Sequence, residues 1–348
     1  MASIKNIKIS NLKGVLIFLV VFGHFIEIYD KEYYELFVFI YSFHMPLFIF
    51  ISGYLAKRMN INKIINLVLL YVVFQSFFSI ILYFTGDLPL QFSYGTPHFH
   101  LWYIVSLGFW YGLVWLISKL KPNIIFKTMT FIALILVSLL SRWYIDDITE
   151  GIQQYYDNFS SYTLSIQRTL SFLPFFFLGF FMNENWFNKI SYSINNRLTL
   201  IVLFVTSVFV VVYFVQETRG LESIFRGSFG YKHYMEEGTF IKYFLFLIIA
   251  YTISFWLCYL ITNLTTSENN IFTKWGDNSL TIFLFHPVFI FVIRQTNFMD
   301  EWTPMVKLSL YLCVAVLVTI FLASNFVKHY TKWMCNPMKS IKRLMKVN

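Results

Sequence analysis

Residues 11–27 read NLKGVLIFLVVFGHFIE, an apolar run bounded by Lys13 and Glu27 with one histidine, His24, inside it. Lys13 and His24 are eleven residues apart. On a helix that spacing is roughly 16 Å along the axis, about half of a ~30 Å hydrocarbon layer. With Lys13 at one face of a bilayer, His24 falls near the middle. A side chain that titrates near neutral pH is costly at that depth and points to function.

Runs of this kind recur along all 348 residues, of which 57% are hydrophobic, 21% aromatic and only 13% charged. An average soluble domain carries roughly twice that charged fraction. Ten segments, approximately 12–29, 36–56, 64–84, 100–118, 124–143, 168–182, 198–216, 240–261, 279–294 and 305–327, are long enough, or nearly so, to cross. The expected fold is all-α, a polytopic transmembrane helical bundle of about ten spans. Residues 1–327 make the transmembrane domain and 328–348 a basic cytoplasmic tail, short and amphipathic or disordered. The lysines before the first run resemble a signal peptide, but no small-x-small cleavage site follows, so it reads as an uncleaved first span. Neither an internal repeat nor a soluble domain is evident.

A net charge of +9 would suit nucleic acid, but its distribution argues otherwise. With both termini cytoplasmic, 18 of the 27 lysines and arginines fall on the inner side, as the positive-inside rule requires. The surplus therefore sets topology and attracts anionic lipid, and nucleic acid is not an expected partner. Cys258, Cys313 and Cys335 show no close pairing, which excludes a disulfide framework or a zinc site. His98 and His100 are two imidazoles and do not make a metal site, so no metal is expected. Walker loops, HExxH and nucleophile elbows are absent from the sequence.

The ionisable residues inside the spans are the candidates. Glu27 lies three residues after His24, on the same helix face, where it holds the imidazole tautomer or else begins the outer loop. A base near neutrality suits deprotonation of a sugar hydroxyl; the plainer alternative is a buried histidine bonded between helices. Lys13 either snorkels to lipid phosphate or meets a phosphate-bearing cofactor such as coenzyme A. The second span carries His44 and Pro46, then Ser52-Gly53 ahead of Lys57-Arg58, and Gly53 invites close approach of a backbone or ligand. His44 is open between a catalytic or positioning role and a bond to a neighbouring helix. Leu101-Trp102-Tyr103 opens the fourth span as an interfacial aromatic belt. Arg168, an end anchor or a polar-substrate contact, precedes a sixth span broken by Pro174 and Gly179. The ninth span opens on Gly276–Ser279 as an N-cap and carries His286-Pro287, whose ring reads as satisfying carbonyls freed at the proline. The outer loops 145–165 and 217–238 are large enough to shape a pocket.

Together and in order, LKGVLIFLVVFGH (12–24), FHMPLFIFISGYL (43–55), HLWYIVSL (100–107), QRTLSFLPFFFLG (167–179) and GDNSLTIFLFHP (276–287) resemble acyltransferase family 3, integral membrane O-acyltransferases, especially its fucose O-acetylase-like branch. The resemblance covers roughly residues 10–327. It implies a ten-helix domain that takes an acyl group, usually acetyl from cytoplasmic acetyl-CoA, to a hydroxyl of a cell-envelope or exported glycan. The family's basic residue–x10–His motif lands on Lys13 and His24, with a lysine point charge where many relatives have the arginine fork. With the reading of the residues, the expectation is His24 as base or transient acyl carrier, with Glu27 and His44 as further catalytic candidates. Lys13, Ser52, Lys57 and Arg58 lie on the donor side, and Arg168, His286 and His100 serve the acceptor. The implied site of action is a bacterial cell membrane. Some relatives carry a fused esterase-like domain; this chain ends soon after its last span, so a second transfer step is expected elsewhere.

Two other classes fit the same residues. A secondary transporter of a small polar solute or glycan precursor also breaks helices at mid-membrane, and should show inverted-repeat symmetry. A structural membrane subunit would leave His24, His44 and His286 lining no common cavity.

Overall fold

Asn6 starts the first helix: its side chain accepts the Ile9 amide at 3.2 Å, and α1 runs over Ile7–Ile26. The computed structural model describes residues 6–27, 32–57, 59–87, 89–120, 123–217, 223–228, 230, 240–294 and 302–345. After α1 come α2 (Tyr34–Leu55), α3 (Ile61–Phe84), a 3₁₀ turn (Phe99–Leu101) leading into α4 (Trp102–Lys119), and α5 (Ile124–Gln153). Next are α6 (Ile166–Ser171), α7 (Leu173–Phe181), α8 (Glu184–Ser191), α9 (Arg197–Glu217) and α10 (Ser223–Arg226). The chain continues through α11 (Phe240–Leu264), α12 (Ile271–Asp277), α13 (Ser279–Arg294) and α14 (Pro304–Leu322) to α15 (Asn325–Cys335) and α16 (Pro337–Leu344). Among the described residues there is no strand. Eight helices are long and apolar enough to cross a membrane, or ten spans if each bent pair counts as one.

The spans agree with the hydropathy reading, and their ends and bends do not. Because the Asn6 cap starts α1 at Ile7, Lys13 lies almost two turns inside the helix and His24 in its last turn, not midway. The helix α5 runs on to Gln153, taking in the first part of the loop expected at 145–165. The sixth span bends by 60° around Phe172. Pro174 sits in the first turn of α7, where a missing N–H breaks nothing. The ninth span bends by 86° between α12 and α13, so Gly276–Ser279 is a joint inside it and not its entrance. The cap belongs instead to Asn270, which forms a capping box with Thr273 at the start of α12. The tail expected from residue 328 is helical through α15 and α16, and the boundary falls inside α15.

Two close crossings set the geometry of the centre. A Cβ on Gly53 would collide with the Phe176 carbonyl, and one on Gly179 with the Phe50 carbonyl, so α2 and α7 touch backbone to backbone. Gly179 is thus a packing residue and not a break. The same holds where α12 lies across α1, at Gly14 against Phe272 and Gly276 against Ser10. Small residues let membrane helices meet where apolar burial gives no drive. Polar bonds fix the second crossing: Asn11 Nδ2 donates to the Thr266 and Glu268 carbonyls, both at 2.8 Å, and Ser10 Oγ to Asp277 at 3.0 Å. Around them Leu12, Leu16, Ile17, Val21 and Phe25 of α1 are fully buried.

Candidate active site

The last turn of α1 opens onto a cavity of about 400 Å³, at the end of the helix away from Asn6. His24 Nδ1 meets Glu27 Oε2 at 3.0 Å, the i,i+3 pair legible in sequence. An ionised carboxylate only accepts, so Nδ1 carries a proton, and in the neutral form of the ring the acceptor is Nε2. The same Glu27 oxygen accepts the Tyr41 hydroxyl at 3.1 Å, and Oε1 accepts Arg226 Nη2 at 2.7 Å. Burial pushes the Glu27 carboxyl up. The hydrogen bond and charge of His24, then Arg226 and Tyr41, outweigh it and pull the pKa down to about 2. Glu27 is the C-cap residue that closes α1, at the edge of the outer segment as one alternative had it, and its carboxylate turns back to His24 as the other had it.

Two more histidines line the same cavity, from two other elements: His44 of α2 and His100 of the 3₁₀ turn; His286 of α13 is not on its wall, although its neighbour Pro287 is. His44 Nδ1 donates to the Ile40 carbonyl at 2.7 Å and His286 Nδ1 to the Ile282 carbonyl at 3.0 Å. Each is locked by its own helix in the tautomer that His24 adopts, with Nε2 unprotonated. The rings of His24 and His286 stack with centroids 5.3 Å apart, and those of His286 and His100 lie 5.2 Å apart. Tyr41 bridges His24 and His44, at 6.5 and 4.7 Å between centroids. Among the described residues, His286 Nε2 and both nitrogens of His100 are buried with no hydrogen-bond partner. His286 thus serves its own helix through the Ile282 carbonyl, one residue before the carbonyl that Pro287 frees, and meets the site through its contact with the His24 ring. Of the three histidines that the structural-subunit reading would scatter, His24 and His44 share this cavity, and His286 reaches it only through its stacking on His24.

Arginines complete the wall. Arg168 of α6 lays its guanidinium over the Trp102 ring, 5.0 Å from the centroid, and donates to Ser228 Oγ at 3.4 Å. Trp102, expected as an interfacial aromatic, is instead a platform inside the bundle, stacked on Phe172. Arg226 of α10 was not marked by sequence. Its loop is placed by the buried Arg142 of α5, which donates to the Ile224 carbonyl at 2.8 Å and to Ser171 Oγ at 3.3 Å.

The expected donor-side residues lie elsewhere. Neither Lys13, Ser52 nor Lys57 lines this cavity. Lys13 is half-buried on α1. Ser52 donates to the Phe48 carbonyl at 2.9 Å and meets the Tyr103 hydroxyl. Lys57 is exposed with its ammonium 3.8 Å from the Tyr54 ring centroid, and burial lowers its pKa against the opposing charge of Glu184. Arg58 falls outside the described residues. His98 turns to Ser79 at 3.1 Å, away from the cavity that His100 lines. Among the described residues no three His, Cys, Asp or Glu side chains are grouped to hold a metal.

A family model described as an acyltransferase domain, that of acyltransferase family 3, matches residues 6–324. No curated protein and no solved structure matches the chain.

Proposed function

The chain belongs to acyltransferase family 3, and from that premise we propose that this multi-pass membrane acyltransferase moves an acetyl group from cytoplasmic acetyl-CoA to a hydroxyl of a cell-surface or exported glycan. The observation that carries the reading is the chain of contacts Arg226–Glu27–His24 on the cavity wall. It supports reading His24 as a base on the wall of a space large enough for substrate.

In the proposed step the acceptor hydroxyl hydrogen-bonds to His24 Nε2 and gives it the proton. The hydroxyl oxygen attacks the thioester carbonyl; the C–O bond forms as the C–S bond breaks. CoA leaves as thiolate and takes the proton back from the imidazolium. Glu27 stabilises that imidazolium while it exists, and Arg226 and Tyr41 keep Glu27 in place. His44 and His100 supply further polar contacts in the same space, and His286 backs His24 through ring contact.

Lys13 would meet the CoA phosphates, with Ser52, Lys57 and Arg58 toward the same end. A donor held there spans roughly 16 Å of helix axis to reach His24. With both termini in the cytoplasm of a bacterial cell, the cavity faces the outside, where the glycan arrives. A transporter could use a histidine–carboxylate pair as a proton relay, so what favours transfer is the acyltransferase family match over residues 6–324.

The test is CoA release from acetyl-CoA by purified protein in detergent, wild type against His24→Ala. Retained activity in the variant removes His24 from the mechanism. Mass spectrometry of envelope polysaccharide with and without the protein then names the acetylated sugar.

A further inference from the structure

Arg168 stands on the wall between the histidine-lined cavity and a smaller one of about 180 Å³. The smaller cavity is lined by the hydroxyl residues Ser161, Tyr162, Ser165 and Ser228 around that guanidinium. A guanidinium has five donors in a planar fork. Here it makes one hydrogen bond among the described residues, at 3.4 Å to Ser228, and its Nε is buried with no partner. A cation left in that state is costly, and the cost is recovered when an anion enters.

The charge of the larger cavity has the same sign. Arg168, Arg226 and Arg294 line it against one carboxylate, Glu27, which Arg226 already engages. The smaller cavity exceeds many times over the ~10–15 Å³ that one water needs, so it admits a polar group of several atoms. Trp102 holds the guanidinium plane from one side, which pre-sets the fork for a planar or tetrahedral oxyanion.

We propose that Arg168 and these hydroxyls form an anion subsite taking a carboxylate or phosphate carried by the acceptor, so that the glycan acylated is an acidic one. The inference rests on the acyl-transfer reading and specifies its acceptor. Arg168 shares with His24 the cavity at the far end of α1, whereas Lys13 lies outside it, which assigns the anion to the acceptor and not to the donor's phosphates.

The test is thermal unfolding of the full chain in detergent, titrated with glucuronate, N-acetylneuraminate and glucose 6-phosphate, with glucose as the neutral control. The expected result is saturable stabilisation by at least one anion and none by glucose. Arg168→Gln should weaken that binding by about 10- to 100-fold, the worth of a charged hydrogen-bond pair, with Arg168→Lys between. Saturating acetyl-CoA should not displace the anion. Three outcomes overturn the proposal: no anion exceeds glucose, Arg168→Gln binds as wild type, or acetyl-CoA competes and claims the subsite for its own phosphates. Should Arg168→Gln fail to fold, Ser161→Ala with Ser228→Ala takes its place, and unweakened binding in that double variant overturns the proposal equally. The readout needs no turnover. Absence of CoA release would sink acyl transfer while leaving anion binding intact, and absence of anion binding leaves transfer to a neutral acceptor.

Discussion

Helices α1 and α9 are close in length, 20 and 21 residues, and both are apolar runs, yet they occupy opposite places. In α1, 72% of the apolar stretch is buried within the protein, against 17% in α9. The polar side chains account for the difference. In α9, Thr206 donates to the Val202 carbonyl and Ser207 to the Leu203 carbonyl, both at 2.6 Å in their own helix, with a bond from outside, from Trp256 of α11 to Ser207, and Phe209 and Tyr213 face outward. In α1, Lys8 reaches the Ser191 carbonyl at 2.6 Å, and Ser10 and Asn11 likewise bond to groups of other elements. A polar group that its own backbone cannot satisfy must find another element, because lipid offers none. Such a span is drawn to the centre, and there it can carry chemistry.

The contrast breaks first at His24. Replacing it with alanine should lower transfer by about 10²- to 10⁴-fold, the usual worth of a general base, with the protein still in the membrane. Glu27→Gln keeps the shape and removes the charge that orients the imidazole; a drop of about 10- to 100-fold is expected in kcat, and an unchanged kcat would detach Glu27 from the base. Lys13→Ala tests the other end of α1. Its KM for acetyl-CoA should rise about tenfold with kcat nearly kept, the loss of one charged hydrogen bond; an unchanged KM moves the donor site away from α1.

Acid stability sharpens the comparison further. Glu27 is held at about 2 against its ordinary 4.5, so its ionisation contributes stability that is complete above pH 4.5 and is lost as pH falls toward 2. Thermal unfolding across that window should lose slope in Glu27→Gln. The smallest effect belongs to α9: Phe209, 70% exposed, should change stability by less than about 0.5 kcal/mol when replaced by alanine, and activity not at all.

The spans were legible because a bilayer sets a length that composition must fill. Their ends were not, since Asn6, lying before the apolar run, decides where α1 starts. The bend near Phe172 was misplaced because Pro174 looks the same inside a helix as in its first turn. The pairing of His24 with Glu27 needs only helical spacing and could be read directly. His44, His100 and His286 each stood out as rare ionisable groups in apolar sequence, but their meeting depends on how four elements cross. Arg226 gave no signal: its loop has ordinary mixed charge, and it lies 199 residues from its carboxylate. Tyr41 was hidden among 23 tyrosines. A tyrosine followed three residues on by a membrane histidine is the pattern that would have exposed it.

The right-angled joint between α12 and α13 has a mechanical consequence. Ser10 and Gly14 of α1 grip α12 through Asp277, Gly276 and Phe272, so the helices bearing His24 and His286 are measured from one hinge block, like two arms of a bracket. When the bilayer thins or swells and outer helices tilt to follow it, both arms ride together. The 5.3 Å gap between the imidazoles is thereby insulated from the elasticity of the surrounding lipid.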